Sequence, residues 1–151
     1  MSTIIVRGET LISRPIGDVQ SQFADVERHV PGHRFADLEI SNVRAQEGGC
    51  RFTGRRNVFG MLQEDEIESM RDADGNSTLR SLFGSTPGFL MKQRFASEGK
   101  GFTRVHATVE YPVRGMLRLL SPFFRMGLQR NLSASLEQDR TAMERRSKSR
   151  N

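Results

Sequence analysis

The chain has one cysteine, Cys50, and no tryptophan among its 151 residues. A single thiol cannot form an intrachain disulfide, so the fold is expected to depend on its buried core. No run approaches about 18 consecutive apolar residues, and no transmembrane helix is expected. The N-terminus lacks the basic region, apolar run and small-residue cleavage site of a secretory signal. These absences favour a cytoplasmic protein.

The common cofactor and metal motifs are also missing. There is no phosphate-binding loop, dinucleotide glycine fingerprint, nucleophile elbow or zinc-ligand spacing. His29 and His33 are four residues apart, but the intervening Pro31 and Gly32 prevent a helix from presenting both to one metal. Residues 72–76 have the glycine of a calcium loop two positions early and lack its closing glutamate, so a hairpin turn is predicted. We therefore expect neither a metal nor another cofactor.

The net charge of +5 comes from the C-terminal end of the chain. Residues 1–111 contain 14 Lys or Arg and 15 Asp or Glu, whereas residues 112–151 contain nine and three. No nucleic-acid partner is expected, because the aromatic residues follow core periodicity and do not alternate with a basic stripe. A weak contact with an anionic membrane, through Arg114, Arg118, Arg125 and the basic tail, stays open.

The order of predicted elements indicates an α+β domain. Ile4 to Ile12 alternates with period two, which predicts a strand, and the following segment up to Pro31 predicts two short helices. Phe35 to Val113 predicts six more strands separated by turn signals. Met116 to Arg140 predicts one long helix. Six consecutive strands without crossovers form an antiparallel sheet, and the long helix is the element able to cover one face.

Three stretches of the sequence resemble the SRPBCC superfamily, also called START-like or helix-grip, which includes polyketide cyclase/dehydrase and lipid-transport domains. They are LISRPIGDVQSQFADVERHVPG, GFTRVHATVEY and VRGMLRLLSPFFRMGLQRNLSASLEQDRTAME. The resemblance implies a curved seven-stranded antiparallel sheet, two short helices after the first strand and a long C-terminal helix over a cavity. It implies a single START-like domain over residues 1–145. The basic residues that follow predict a disordered tail over 146–151. The chain departs from many members by having Arg28-His29-Val30 before Pro31, where they carry a tryptophan.

The hairpin around Gly60 predicts which side chains point inward. If Phe59 pairs with Leu62, the charges of this hairpin match on the outer face, and Arg56 points inward roughly opposite Asp65. Two interpretations remain open. The two side chains satisfy each other as a buried ion pair, or they hold a polar group of a ligand.

The long helix predicts an unusual inner face. Counting about 100° per residue from Leu120 places Asn131 and Ser135 on the same arc as Phe124 and Leu128. Polar residues in a buried arc conflict with a dry core. Either this face lines a wet or ligand-filled cavity, or Pro122 shifts the helical phase, or the C-terminal half of the helix emerges from the sheet.

The resemblance implies binding or carriage of a small, largely apolar ligand, such as a lipid, quinone or polyketide-like molecule, between sheet and helix. One alternative is a polyketide cyclase or dehydratase that uses the same cavity. Another is a peripheral membrane or partner-binding protein that acts through the basic helix. Catalytic residues, ligand identity and oligomeric state are left open. The candidate cavity residues are Arg56, Gln63, Asp65, Ser81, Phe83, Met91, Gln93, Phe95, Val109, Tyr111, Phe124, Leu128, Asn131 and Ser135.

Overall fold

The fold is given by a computed structural model, which describes residues 2–24, 39–58, 61–85, 87–113, 115, 119 and 121–149. The side chains of residues 2, 24, 56–58, 61 and 146–149 lie outside this description. Along the described chain, strands and helices follow in the order β1 (Ser2–Ile12), α1 (Ile16–Ala24), β2 (Glu39–Gln46), β3 (Gly49–Val58), β4 (Met61–Arg71), β5 (Ser77–Gly84), β6 (Leu90–Ser97), β7 (Thr103–Val113) and α2 (Ser121–Ser149).

The strands form one seven-stranded antiparallel sheet in the order β1-β7-β6-β5-β4-β3-β2. Consecutive strands from β2 to β7 are neighbours, and β1 closes the series by pairing with β7 from Ser2↔Val113 to Ile12↔Thr103. The curved antiparallel sheet and the long C-terminal helix confirm the fold predicted from the sequence. The second short helix, predicted to end at Pro31, lies outside the described residues.

The core lies between one face of the β1–β7 pair and α2. Alternate side chains of both strands point to this face and are buried, as period two requires. Helix α2 contributes side chains spaced by three or four residues, which is the spacing of one helical face. The buried apolar side chains at this contact are Ile4, Val6, Ile12, Val105, Val109, Val113, Phe124, Leu132, Leu136 and Met143.

Helix α2 approaches β1 most closely at Gly8. A Cβ atom at this position would lie 2.9 Å from Cδ1 of Leu136 and 3.4 Å from two atoms of Leu132. The missing side chain therefore lets the two leucines sit directly on the strand. Nearby, Nε2 of Gln129 donates a hydrogen bond of 2.8 Å to the carbonyl oxygen of Arg7, which satisfies one free group on the edge of the sheet.

The buried face of α2 differs from the predicted one. The helix begins at Ser121, with Pro122 in its first turn, where a missing N–H is tolerated. The buried positions Phe124, Leu132 and Leu136 define an arc rotated by about 70° from the predicted one.

Two further predictions for this segment differ from the structure. Asn131 is exposed, so its placement on the sheet-facing arc was wrong. The helix continues to Ser149, so most of the tail predicted to be disordered from residue 146 is helical. Within the described chain, no helix is long and apolar enough to cross a bilayer.

The β3–β4 hairpin keeps the predicted inner face but pairs two positions away from the predicted register. Its ladder ends at Val58↔Met61, so Arg56 pairs with Gln63, and Asp65 pairs with Gly54. The predicted placement of Arg56 opposite Asp65 is therefore wrong. A shift of two residues leaves the alternation of faces unchanged, because the side-chain period of a strand is two.

Phe83 was predicted to point inward and is instead 62% exposed. The cause is an irregularity between β4 and β5, where Ile67 pairs with Ser81 but the adjacent Glu66 pairs with Phe83. One extra residue, Leu82, is thus inserted into β5. An inserted residue reverses the alternation beyond it, which moves Phe83 to the outer face.

Gly8→Val is expected to lower the free energy of unfolding by about 1–3 kcal/mol, because the added atoms overlap Leu136 and Leu132. Gly17→Ala in α1 is the matched control. A Cβ there meets nothing within 4 Å, and alanine favours the helix by about 0.5–1 kcal/mol. Urea unfolding of both variants checks this, and a Gly8→Val protein as stable as the parent would contradict the close contact.

The carboxylate of Glu68 gives a pH-dependent prediction. It accepts hydrogen bonds from Nε2 of Gln46 at 3.2 Å and from Nη2 of Arg80 at 2.9 Å. These hydrogen bonds, that from Gln46 first, hold the pKa of Glu68 below its usual value of 4.5. A lowered folded-state pKa stabilises the fold above the unfolded-state pKa, and this stabilisation is lost as the pH falls through the folded-state value.

Glu68→Gln is therefore expected to destabilise the protein near neutral pH by less than about 1 kcal/mol, as for a partly exposed pair. The difference from the parent should shrink between about pH 5 and about pH 3. Glu47→Gln, in the exposed β2–β3 turn, is the control and should leave the profile unchanged. A Glu68→Gln difference that stays constant across this range would refute the assignment.

Candidate functional site

Burial on the inner face of the sheet decreases from β7 towards β4. The inward side chains of β1 and β7 are buried beneath α2, whereas Ile67, Leu79 and Met91 on β4, β5 and β6 are half-buried. Leu79 and Met91 are directly paired, and Ile67 lies on the next strand. We call these three side chains the inner patch. They form a contiguous apolar surface that the described helices leave partly uncovered.

Two buried polar side chains lie beside the inner patch. The hydroxyl of Ser81 donates a hydrogen bond of 3.0 Å to Oδ1 of Asp65, and both side chains are buried. Gln93 is buried on the same face, and Gln63 is half-buried there. A buried carboxylate requires hydrogen-bond donors, and Ser81 supplies one from the protein.

An aromatic cluster bounds the patch towards α2. The ring of Tyr111 lies 4.9 Å from Phe124 in a tilted arrangement and 6.0 Å from Phe89 edge to face. Tyr111 is buried. The cluster is thus an apolar wall of three rings that carries one polar atom, the hydroxyl oxygen of Tyr111.

The polar pair and the aromatic cluster lie in one row across the sheet. The amide of Ser81 donates to the carbonyl oxygen of Phe89 at 2.9 Å, and the β6–β7 register brings Phe89 opposite Tyr111. Neighbouring strands are about 4.8 Å apart, so Ser81 and Tyr111 are separated by about 10 Å. This row has polar groups at both ends and apolar side chains between them.

A concavity of about 660 Å³ opens near the β2–β3 and β4–β5 turns. It lies between α1 and the β2–β3 and β4–β5 turns, and its described lining includes Gln20, Cys50, Ser69 and Arg71 but none of the predicted cavity residues. In the β4–β5 turn, the carboxylate of Asp72 accepts two backbone amide hydrogen bonds of 2.9 Å. Backbone and side-chain hydrogen bonds from Asn76, with the amides of Asp74 and Gly75, lower the pKa of Asp72.

The residues 72–76 therefore form the predicted hairpin turn between β4 and β5. Across the described ranges, no group of histidine, cysteine, aspartate and glutamate side chains is arranged to hold a metal ion.

No family model matches the sequence, and no curated protein matches it. Several solved structures are similar to this one. A Thermus thermophilus protein has a TM-score of 0.82 at 23% identity, covering 95% of this chain and 99% of that one. An aromatase/cyclase from a Streptomyces species has a TM-score of 0.82 at 16% identity, covering 97% and 96%. A START superfamily protein from Mycobacterium smegmatis has a TM-score of 0.62 at 15% identity, covering 89% and 97%.

The fold is the START-like, helix-grip fold. At these identities the similarity concerns the fold, and the chemistry of the site has to be argued from this chain's own side chains.

The START-like sheet brings several predicted residues to one face. The predicted residues buried on this face are Asp65, Ser81, Gln93, Phe95, Val109 and Tyr111, and those half-buried on it are Gln63 and Met91. On α2, Phe124 is buried, and Leu128 and Ser135 are half-buried. Arg56 pairs with Gln63 through its backbone, and its side chain lies outside the described part of the chain. The candidate set omitted Ile67, Leu79 and Phe89, although period-two alternation along their strands was a sufficient signal for their inward position.

Ser81→Ala is expected to lower the free energy of unfolding by about 1–2 kcal/mol, because the buried Asp65 carboxylate loses a donor. Ser97→Ala, at the exposed end of β6, is the matched control. Equal urea midpoints for the two variants would show that the Ser81 hydroxyl does not support Asp65.

Proposed function

We propose that the protein binds a small, largely apolar molecule between the inner face of the sheet and α2. The observation that carries this proposal is the inner patch, whose three apolar side chains are only half-buried, whereas the inward side chains of β7 are buried beneath α2. Covering such a surface contributes about 25 cal/mol for each Å² removed from water. A ligand that fills this space would complete the burial that α2 provides over β1 and β7.

The polar atoms along the same row suggest how such a ligand is oriented. Asp65 and Ser81 lie at one end, and Tyr111 lies at the other, with about 10 Å between the backbones of Ser81 and Tyr111. Sites for small molecules typically combine an apolar lining with a few fixed polar groups. The rings of Tyr111, Phe89 and Phe124 favour a ligand that itself contains rings. A quinone or a polyketide-like molecule fits this row better than an unsubstituted acyl chain.

Catalysis of a cyclase or dehydratase reaction is the second candidate. The similarity to an aromatase/cyclase over 97% of this chain favours it, together with the proton-transfer capacity of Asp65 and Tyr111 on one face. In that case Asp65 accepts a proton from a bound poly-ketone chain, and Tyr111 donates one to a developing oxyanion. Tyr111→Phe separates the candidates, because it would lower turnover by about tenfold or more in an enzyme but change the affinity of a carrier only modestly.

The test of binding is native mass spectrometry of the protein purified from its own source, followed by denaturing extraction of any bound molecule. We expect a stoichiometric apolar adduct on the parent protein. Met91→Trp should remove it, because the larger ring occupies the space above the inner patch. Phe83→Trp, on the exposed outer face, is the matched control and should retain it.

Two results would contradict the proposal. One is an adduct that persists in Met91→Trp at the parent's stoichiometry, which would place the ligand elsewhere. The other is a parent protein that neither carries a molecule nor binds an apolar fluorescent probe such as anilinonaphthalene sulfonate. Thermal unfolding of each variant confirms that a lost adduct does not reflect a lost fold.

A further inference from the structure

The exposed apolar side chains gather at one end of the molecule. Of the large apolar side chains that are exposed in the described ranges, Leu62, Phe83, Leu119, Phe123 and Met126 lie at the end where α2 begins. The pairing explains this position, because the end of β7, the end of β5 and the start of β4 all meet at that end of an antiparallel sheet. Several exposed large apolar side chains at one end are unusual for a surface that contacts only water.

The first half of α2 carries two of these exposed apolar side chains. Phe123 is 74% exposed and Met126 is 54% exposed, and Arg130 continues the same stripe after one further turn. Leu119, just before the helix, is 82% exposed. This stripe points away from the sheet, because Phe124 and Leu132 occupy the opposite arc. We call Leu119, Phe123, Met126 and Arg130 the outer stripe.

The charge around the outer stripe has one sign. Residues 112–136 contain four arginines and no aspartate or glutamate. Two of these arginines, Arg125 and Arg130, are exposed and form no salt bridge within the described part of the chain. The opposite end of the sheet exposes Glu47, Asp72 and Asp74 in its turns. The end of the molecule where α2 begins therefore combines exposed apolar side chains with exposed arginines.

We infer that the outer stripe docks onto an anionic lipid surface. Apolar side chains on one side of a helix enter the boundary between headgroups and acyl chains, and neighbouring arginines contact the lipid phosphates. A second copy of the chain fits less well, because an isologous contact would bring the same unpaired arginines against each other. The inference does not depend on the proposed ligand, since the outer stripe and the inner patch lie on different surfaces.

The test is co-sedimentation of the full chain with phosphatidylcholine vesicles that contain about one-third phosphatidylglycerol, at about 0.15 M salt. Phe123→Ser should weaken the partition constant by about tenfold or more, because a buried aromatic anchor is lost. Arg130→Gln should weaken it by roughly fivefold, the effect of one basic residue at an anionic surface.

The controls match each change in chemistry but lie away from the outer stripe. Phe102→Ser removes a 43% exposed ring from the β6–β7 turn at the opposite end. Arg94→Gln removes an exposed charge from the outer face of β6. Both should partition within about twofold of the parent, because neither residue would contact the bilayer.

Three outcomes would overturn the inference. The parent protein could fail to sediment with anionic vesicles, or Phe123→Ser could bind as well as Phe102→Ser does. In the third, the parent would be a dimer by sedimentation equilibrium that Phe123→Ser dissociates, which would assign the outer stripe to self-association. Pure phosphatidylcholine vesicles are the uncharged control. Binding to them as tight as to anionic vesicles would refute the role given to Arg130.

Discussion

The contact between α2 and β1 at Gly8 determines where the helix lies on the sheet. A side chain at this position would hold the helix away from the strand, and its absence lets Leu132 and Leu136 rest on the backbone. The helix is thereby held over the edge of the sheet formed by β1 and β7. Their inner face becomes a closed core, and the inner patch on β4, β5 and β6 is left half-buried. One missing side chain thus separates a dry region of the same sheet from a partly open one.

The outer face of β2 to β5 supports this arrangement in a different way. Glu66 is buried there and receives a hydrogen bond from Thr53 at 3.1 Å and an ion pair from Arg44. Arg55 and Glu64 pair at 3.1 Å in the same hairpin. Exposed ion pairs such as Arg55–Glu64 contribute little stability individually. Their positions place opposite charges across neighbouring strands on the outer face. A shift of β3 by two residues would still place arginine opposite glutamate, so these charges favour one face of the hairpin and do not select one register.

The sequence was sufficient to predict the strand order, the inner and outer faces and the covering helix, because these follow from side-chain periodicity. The errors arose where a bulge or a turn contains a different number of residues from the predicted one. Leu82 is inserted into β5 and moves Phe83 to the outside. The hairpin pairs Val58 with Met61, so the residue opposite Asp65 in the ladder is Gly54, and Ser81 donates to the Asp65 carboxylate. Bulges and turn positions depend on tertiary contacts that neighbouring sequence does not encode.

Phe123 and Phe124 show how α2 serves two surfaces. Phe124 is 7% exposed and packs on Tyr111, while the adjacent Phe123 points away from the sheet. If the outer stripe rests on lipid, an apolar ligand reaches the protein from a bilayer and not from water. A ligand in a bilayer is already out of contact with water. Its transfer to the inner patch therefore gains little of the hydrophobic free energy that drives transfer from water. Selectivity would then depend on the groups that a bilayer interior lacks, the Asp65–Ser81 pair and the Tyr111 hydroxyl.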